Sequence, residues 1–119
     1  MIKIQKINFP LDCMVINHDF HDYDPKSLFK ESDSLKYLNE DLLQCKFPLV
    51  DIIIDLGWYG ELTSDRGEFR IYIIKSENWE IPSNIIYPKS TEETKELLTK
   101  ILQYYTSIGD KNEHDNEHN

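Results

Sequence analysis

The chain has 119 residues, 39% of them hydrophobic and 12% aromatic, which fits one compact domain with a real core. Its 22 acidic residues outnumber 13 basic ones, and the formal net charge of -9 disfavours nucleic acid and anionic lipid surfaces as direct partners. No apolar run approaches the roughly 20 residues that span a bilayer, and Met1-Ile2-Lys3-Ile4-Gln5-Lys6 lacks the pattern of a secretory signal, so a cytosolic protein is expected.

Residues 2–8 and 11–17 read as two short extended segments, with Ile2 and Ile4 on one face of the first and Leu11, Cys13 and Val15 alternating in the second. Phe9-Pro10 bends the chain between them. A carboxylate-rich loop, His18-Asp19-Phe20-His21-Asp22-Tyr23-Asp24, follows, and Asp24-Pro25 reads as an N-cap with proline at the first helical position. Leu28, Phe29, Leu35, Leu38 and Leu42 recur at helical spacing and predict helix to about Gln44. Ser32-Asp33-Ser34 competes with backbone hydrogen bonds and predicts a break near Ser32. Phe47-Pro48 ends the helix.

Leu49-Val50-Asp51-Ile52-Ile53-Ile54-Asp55-Leu56 is the strongest strand signal, with Asp51, Ile53 and Asp55 on one face and Val50, Ile52, Ile54, Leu56 and Trp58 on the other. Turn residues from Thr63 to Gly67 precede a second alternating run, Phe69 to Lys75, which predicts a β-hairpin with a long loop. Asn84-Ile85-Ile86-Tyr87 adds a short extended piece between prolines. Ser90-Thr91-Glu92-Glu93 has capping-box form, and Leu97, Leu98, Ile101, Leu102, Tyr105 and Ile108 form one helical stripe. After Gly109 no apolar residue remains, so residues 109–119 are expected to be a disordered acidic tail behind a single domain at 1–108. The expected fold class is α+β, a mostly antiparallel sheet with two main helices packed on one face.

Catalytic readings find little support. His18, Asp19, His21, Asp22 and Asp24 are suitable metal ligands by type, but they share one loop beside a helix cap rather than a rigid framework. A magnesium-dependent nuclease built on Asp51, Asp55, Asp65 or Glu68 with Lys75 fails at its diagnostic spacing, where Glu68-Phe69-Arg70 has arginine in place of lysine. Gly57, Gly60, Gly67 and Gly109 do not form a phosphate-binding loop. Cys13 and Cys45 have no second pair, which suits buried thiols better than a disulfide framework or a zinc knuckle. No catalytic residue, cofactor or metal is therefore expected.

Three stretches carry a family resemblance: Val50 to Tyr59, ending in Gly57-Trp58-Tyr59; Gly67 to Lys75; and Asn78-Trp79-Glu80-Ile81-Pro82. Over about residues 50–108 they resemble bacterial immunity proteins of contact-dependent growth inhibition systems. The resemblance implies a non-catalytic protein that binds and neutralises the C-terminal domain of a cognate toxin, a basic nuclease in many such systems. An acidic surface would speed association with such a partner. The expected contact patch is Tyr59, Glu61, Asp65 and Glu68 at the hairpin loop, with Asp19, Asp22 and Tyr23 as a second patch. Trp58 and Trp79 read either as core residues against the sheet or as interface anchors. The alternatives are a small self-associating adaptor or structural domain that pairs through a sheet edge or the final helix and, third, a metal-dependent hydrolase.

Overall fold

A computed structural model describes residues 2–25, 36–60 and 67–117, with residues from 109 onward described as backbone only. Five strands, β1 (Met14–His18), β2 (Leu43–Phe47), β3 (Ile52–Tyr59), β4 (Glu68–Lys75) and β5 (Asn84–Ile86), are followed by one helix, α1 (Thr91–Glu117). The strands form one sheet in the order β1-β2-β3-β4-β5, and every neighbouring pair is antiparallel. Short connections from β2 through β5 favour this meander, whereas residues 19–42 make a longer link between β1 and β2.

The register sorts the side chains into two faces. Leu43, Leu56, Ile71 and Ile86 form one row, Cys45, Ile54 and Ile73 the next, while Phe47 opposes Ile52 and Trp58 opposes Phe69. These residues, with Leu98 and Leu102 of α1, make the core. The opposite face carries a row from Asn17 through Gln44, Asp55 and Tyr72 to Ile85, beside Lys46, Ile53 and Ile74.

Among the described residues there is one helix, so the expected pair of helices on one face is corrected to one. The segment predicted to stay helical to Gln44 is not helical from Leu38 onward and forms strand β2 from Leu43. Two local signals account for this. Asn39 Oδ1 accepts the Asp41 N–H at 2.8 Å, an Asx turn that offers the backbone an alternative to the helix. Beyond it, Leu43, Cys45 and Phe47 are buried while Gln44 and Lys46 are half-buried, a period of two that only a strand satisfies. The predicted start of that helix and its Ser32 break, within residues 26–35, lie outside the described residues.

Other boundaries move. β3 starts at Ile52 instead of Leu49, because Asp51 sits in a turn at φ 52°, and so Asp51 does not share a strand face with Asp55. Asparagine and aspartate are among the side chains that accept this left-handed conformation. Ser76 and Glu77, at φ 55° and 56°, turn the chain at the same end of the sheet. Ser76 N–H donates to Asp51 O at 3.0 Å, and Lys46 Nζ bridges both turns, 3.0 Å from Glu77 and 3.7 Å from Asp51. The first predicted strand shrinks to a bridge between Ile4 and His21. The β3–β4 hairpin, the short β5 and the capped final helix match the sequence reading. The backbone of α1 is helical to Glu117, and the side chains of the segment read as an acidic tail lie outside the described residues.

Candidate functional site

The sheet face opposite α1 gathers most of the polar and aromatic groups that the core cannot use. At its centre is Asp55, which is only 9% exposed and lies between Gln44 and Tyr72 in the register. Gln44 Nε2 donates to Asp55 Oδ2 at 2.9 Å. Burial pushes the Asp55 carboxyl above its ordinary range; the Gln44 hydrogen bond opposes this shift, and the charge on Asp41 adds to it.

On one side of Asp55, Asn17, His18, Asp19, Asp41 and Gln44 complete a polar hollow of about 450 Å³. His18 has both ring nitrogens engaged by main chain: Phe20 N–H donates to Nδ1 at 3.4 Å, which leaves Nε2–H to donate to Gln5 O at 2.8 Å. His21 donates Nδ1–H to Asp19 O at 3.0 Å and lies 3.7 Å from the Asp19 carboxylate. These imidazoles brace the loop. Among the described residues, no three His, Cys, Asp or Glu side chains are grouped so as to hold a metal ion.

On the other side, Tyr59 and Glu68 face each other at the open end of the hairpin. Between them and Asp55 lies Arg70, with its guanidinium 4.7 Å from the Tyr59 ring centre and 5.9 Å from that of Tyr87. Arg70 also donates Nη1–H to the Tyr72 hydroxyl at 3.1 Å and Nε–H to Glu68 at 3.3 Å. The Tyr59 phenol is pushed up to about 12, first by burial and then by the charge on Asp55, with Tyr72 and Glu40 adding and Arg70 opposing. The charge on Asp55, which lines the hollow, thus reaches Tyr59 at the hairpin end.

The predicted contact residues divide accordingly. Tyr59 and Glu68 are together at the hairpin end, and Asp19 joins the same face through the hollow. Asp22 is exposed, and its Oδ1 accepts the Lys3 N–H at 2.8 Å. Tyr23 is corrected from contact residue to core residue: it is 1% exposed, and its carbonyl accepts the Thr91 hydroxyl at 2.7 Å. Glu61 and Asp65 lie outside the described residues. The two tryptophans part ways, since Trp58 is buried against Phe69 while Trp79 is 48% exposed.

Sequence reasoning missed Glu40, Asp41 and Tyr87. The period of two in the sequence of β4 already reads Glu68, Arg70 and Tyr72 as one face, open to solvent or to a partner, and the register agrees. Glu40 and Asp41 were hidden because their segment was read as helix. Among the described residues Trp58 Nε1 is a buried donor without a hydrogen-bond partner, and Trp58 lines a second concavity of about 440 Å³ with Phe69, Tyr87 and Lys89. No helix among the described residues is long and apolar enough to cross a membrane. No protein-family model, curated protein or solved structure matches the chain.

Proposed function

We propose that this chain is an immunity protein that binds a cognate, basic toxin domain in the cytosol and neutralises it without chemistry of its own. The observation that carries the reading is the charge arrangement on the face opposite α1. Both cations that the register puts there are paired within the protein, Arg70 with Glu68 and Lys46 with Glu77 and Asp51, while Asp19, Asp41 and Asp55 cluster in one hollow. Such a face is held by the sheet, so little ordering entropy opposes docking, and its charge favours a cationic surface. Tyr59, Tyr72 and Tyr87 beside it supply large contact area with few rotatable bonds. The engagement of both His18 nitrogens by main chain leaves the hollow without a free imidazole base, which favours recognition over catalysis.

The test is growth protection. Where a gene for a large exported protein lies directly upstream, the C-terminal domain it encodes is produced in cells with and without this chain. Protection together with a one-to-one complex supports the proposal. Equal killing in both strains, with no complex, refutes it.

Self-association is a second reading, favoured by one observation: Met14, Val15 and Ile16 on edge strand β1 are 57%, 43% and 53% exposed. An apolar edge strand is a template for pairing with another strand. Sedimentation over a concentration series tests it, and a monomer at every concentration excludes it.

A further inference from the structure

Cys13 and Cys45 are 32 positions apart in sequence, yet their side chains meet. Cys13 immediately precedes β1, and in the antiparallel ladder its second neighbour, Val15, is opposite Cys45. Side chains two apart on a strand share a face, so Cys13 approaches Cys45 diagonally. Both belong to the same packed cluster, and the two thiols are hydrogen bonded to each other.

The two sulfurs differ in access. Cys45 is fully buried on the core face of β2, whereas Cys13 is only half-buried. Cys13 is also positioned from both sides. Its N–H donates to Pro10 O at 3.0 Å, and the neighbouring Asp12 carboxylate accepts the Thr106 hydroxyl of α1. Both cysteines are free thiols.

We infer that Cys13 and Cys45 form a redox-active dithiol, in which Cys13 reacts with a low-molecular-weight disulfide and Cys45 resolves the adduct to an intramolecular disulfide. The roles follow from the chemistry. The hydrogen bond from Cys45 to the Cys13 sulfur lowers the pKa of that thiol, against burial and the charge on Asp12. The same bond, with burial, pushes the Cys45 thiol up. The accessible sulfur is thus the one that ionises more readily, and the thiolate is the nucleophile.

In the first step the Cys13 thiolate attacks one sulfur of the small disulfide. A new S–S bond joins Cys13 to half of the reagent, and the other half leaves as a thiolate, which takes up the proton lost by Cys13. Cys45 then attacks the Cys13 sulfur and expels the second small thiolate, which takes up the proton that Cys45 gives up. Two protein thiols are oxidised by two electrons, and one small disulfide is reduced to two thiols. Closure requires only that β1, an edge strand with a bulge between Val15 and Asn17, draw toward β2.

The experiment treats reduced, folded, full-length protein with oxidised glutathione, traps remaining thiols by alkylation in denaturant, and reads the intact mass and the linked peptides. The inference expects a monomer lighter by two hydrogens, with the Cys13 peptide joined to the Cys45 peptide. Cys45→Ala is expected to stop at a stable glutathione adduct on Cys13, and Cys13→Ala to stay unmodified while folded. Circular dichroism checks that each variant retains the wild-type fold. Wild-type protein that stops at the adduct, links two chains or remains fully reduced overturns the inference, and this readout depends on neither variant.

Discussion

Gly57 lies directly against the main chain of Glu40: a Cβ built at Gly57 would fall well inside contact distance of the Glu40 carbonyl oxygen. The close approach continues the β2–β3 pairing past the end of β2. Leu42 N–H donates to Leu56 O at 3.0 Å, and Trp58 N–H donates to Asn39 O at 2.7 Å. Residues 39–42 therefore lie along β3 as an irregular extension of its partner strand, which is how Glu40 and Asp41 reach the face that carries Asp55 and Tyr59. Because the obstacle is backbone, it cannot swing away like a flexible side chain. Gly57→Ala is expected to cost about 1–3 kcal/mol, the range typical of overpacking. Urea denaturation checks this, and an unchanged midpoint would mean that the two segments are not in contact.

Asp55 gives a pH dependence of definite sign. Burial raises its folded-state value above that of an unfolded aspartate, so between those two values the folded chain binds more protons than the unfolded one. Stability from this group is greatest below the unfolded value of 3.8 and falls as pH rises through the folded value. Asp55→Asn keeps an acceptor for Gln44 and removes the buried charge. The variant is expected to be more stable than wild type at neutral pH, with the difference closing in acid. Denaturant midpoints measured across that range decide the matter, and a variant less stable at pH 7 contradicts the assignment.

What the sequence discloses about this fold depends on how many residues a signal spans. The hairpin of β3 and β4 was legible because Ile52, Ile54, Leu56 and Trp58 alternate on one strand and Phe69, Ile71 and Ile73 on the next. The final helix was legible from Ser90 and its apolar stripe. β2 was not, since Leu35, Leu38 and Leu42 satisfy a helical period just before Leu43, Cys45 and Phe47 satisfy a strand period. The fold realises the strand period from Leu43 onward, and an Asx turn at Asn39–Asp41 precedes it. The candidate site suffered from the same error: placing 38–44 on a helix detached Glu40, Asp41 and Gln44 from Asp55. Tyr23 was lost for another reason, because a tyrosine among carboxylates looks exposed until Thr91 and Tyr37 are found around it.

The anchoring of α1 separates a cap from a core contact. Ser90 Oγ accepts the Glu93 N–H at 3.0 Å, so Ser90→Ala removes one partner from the helix N-terminus and is expected to cost about 1 kcal/mol. Leu98 is fully buried between α1 and the sheet, and Leu98→Ala is expected to cost about 2–5 kcal/mol. Tyr104, exposed at 59%, is a control whose replacement by alanine should change stability by about 0.5 kcal/mol or less. Equilibrium denaturation of the three variants should rank the loss of stability as greatest for Leu98→Ala, smaller for Ser90→Ala and least for the Tyr104 variant.

Charge reversal on the open sheet face tests the proposed docking role without disturbing the core. Glu40 and Asp41 are exposed and lie near Tyr59 and Asp55 respectively. Replacing both with lysine would invert the charge beside the hollow while leaving the Asn39 turn and the Leu42 N–H bond in place. Association with a basic toxin domain is expected to slow by roughly tenfold at low salt and by much less at high salt, because a Debye length of about 3 Å at 1 M screens long-range attraction. Dissociation should change less, since the aromatic contacts of Tyr59, Tyr72 and Tyr87 are untouched. Stopped-flow mixing at two ionic strengths separates these effects. Association rates equal to wild type at low salt would remove this face from the binding surface, whereas the same slowing at both salt concentrations would indicate a lost local contact instead of lost steering.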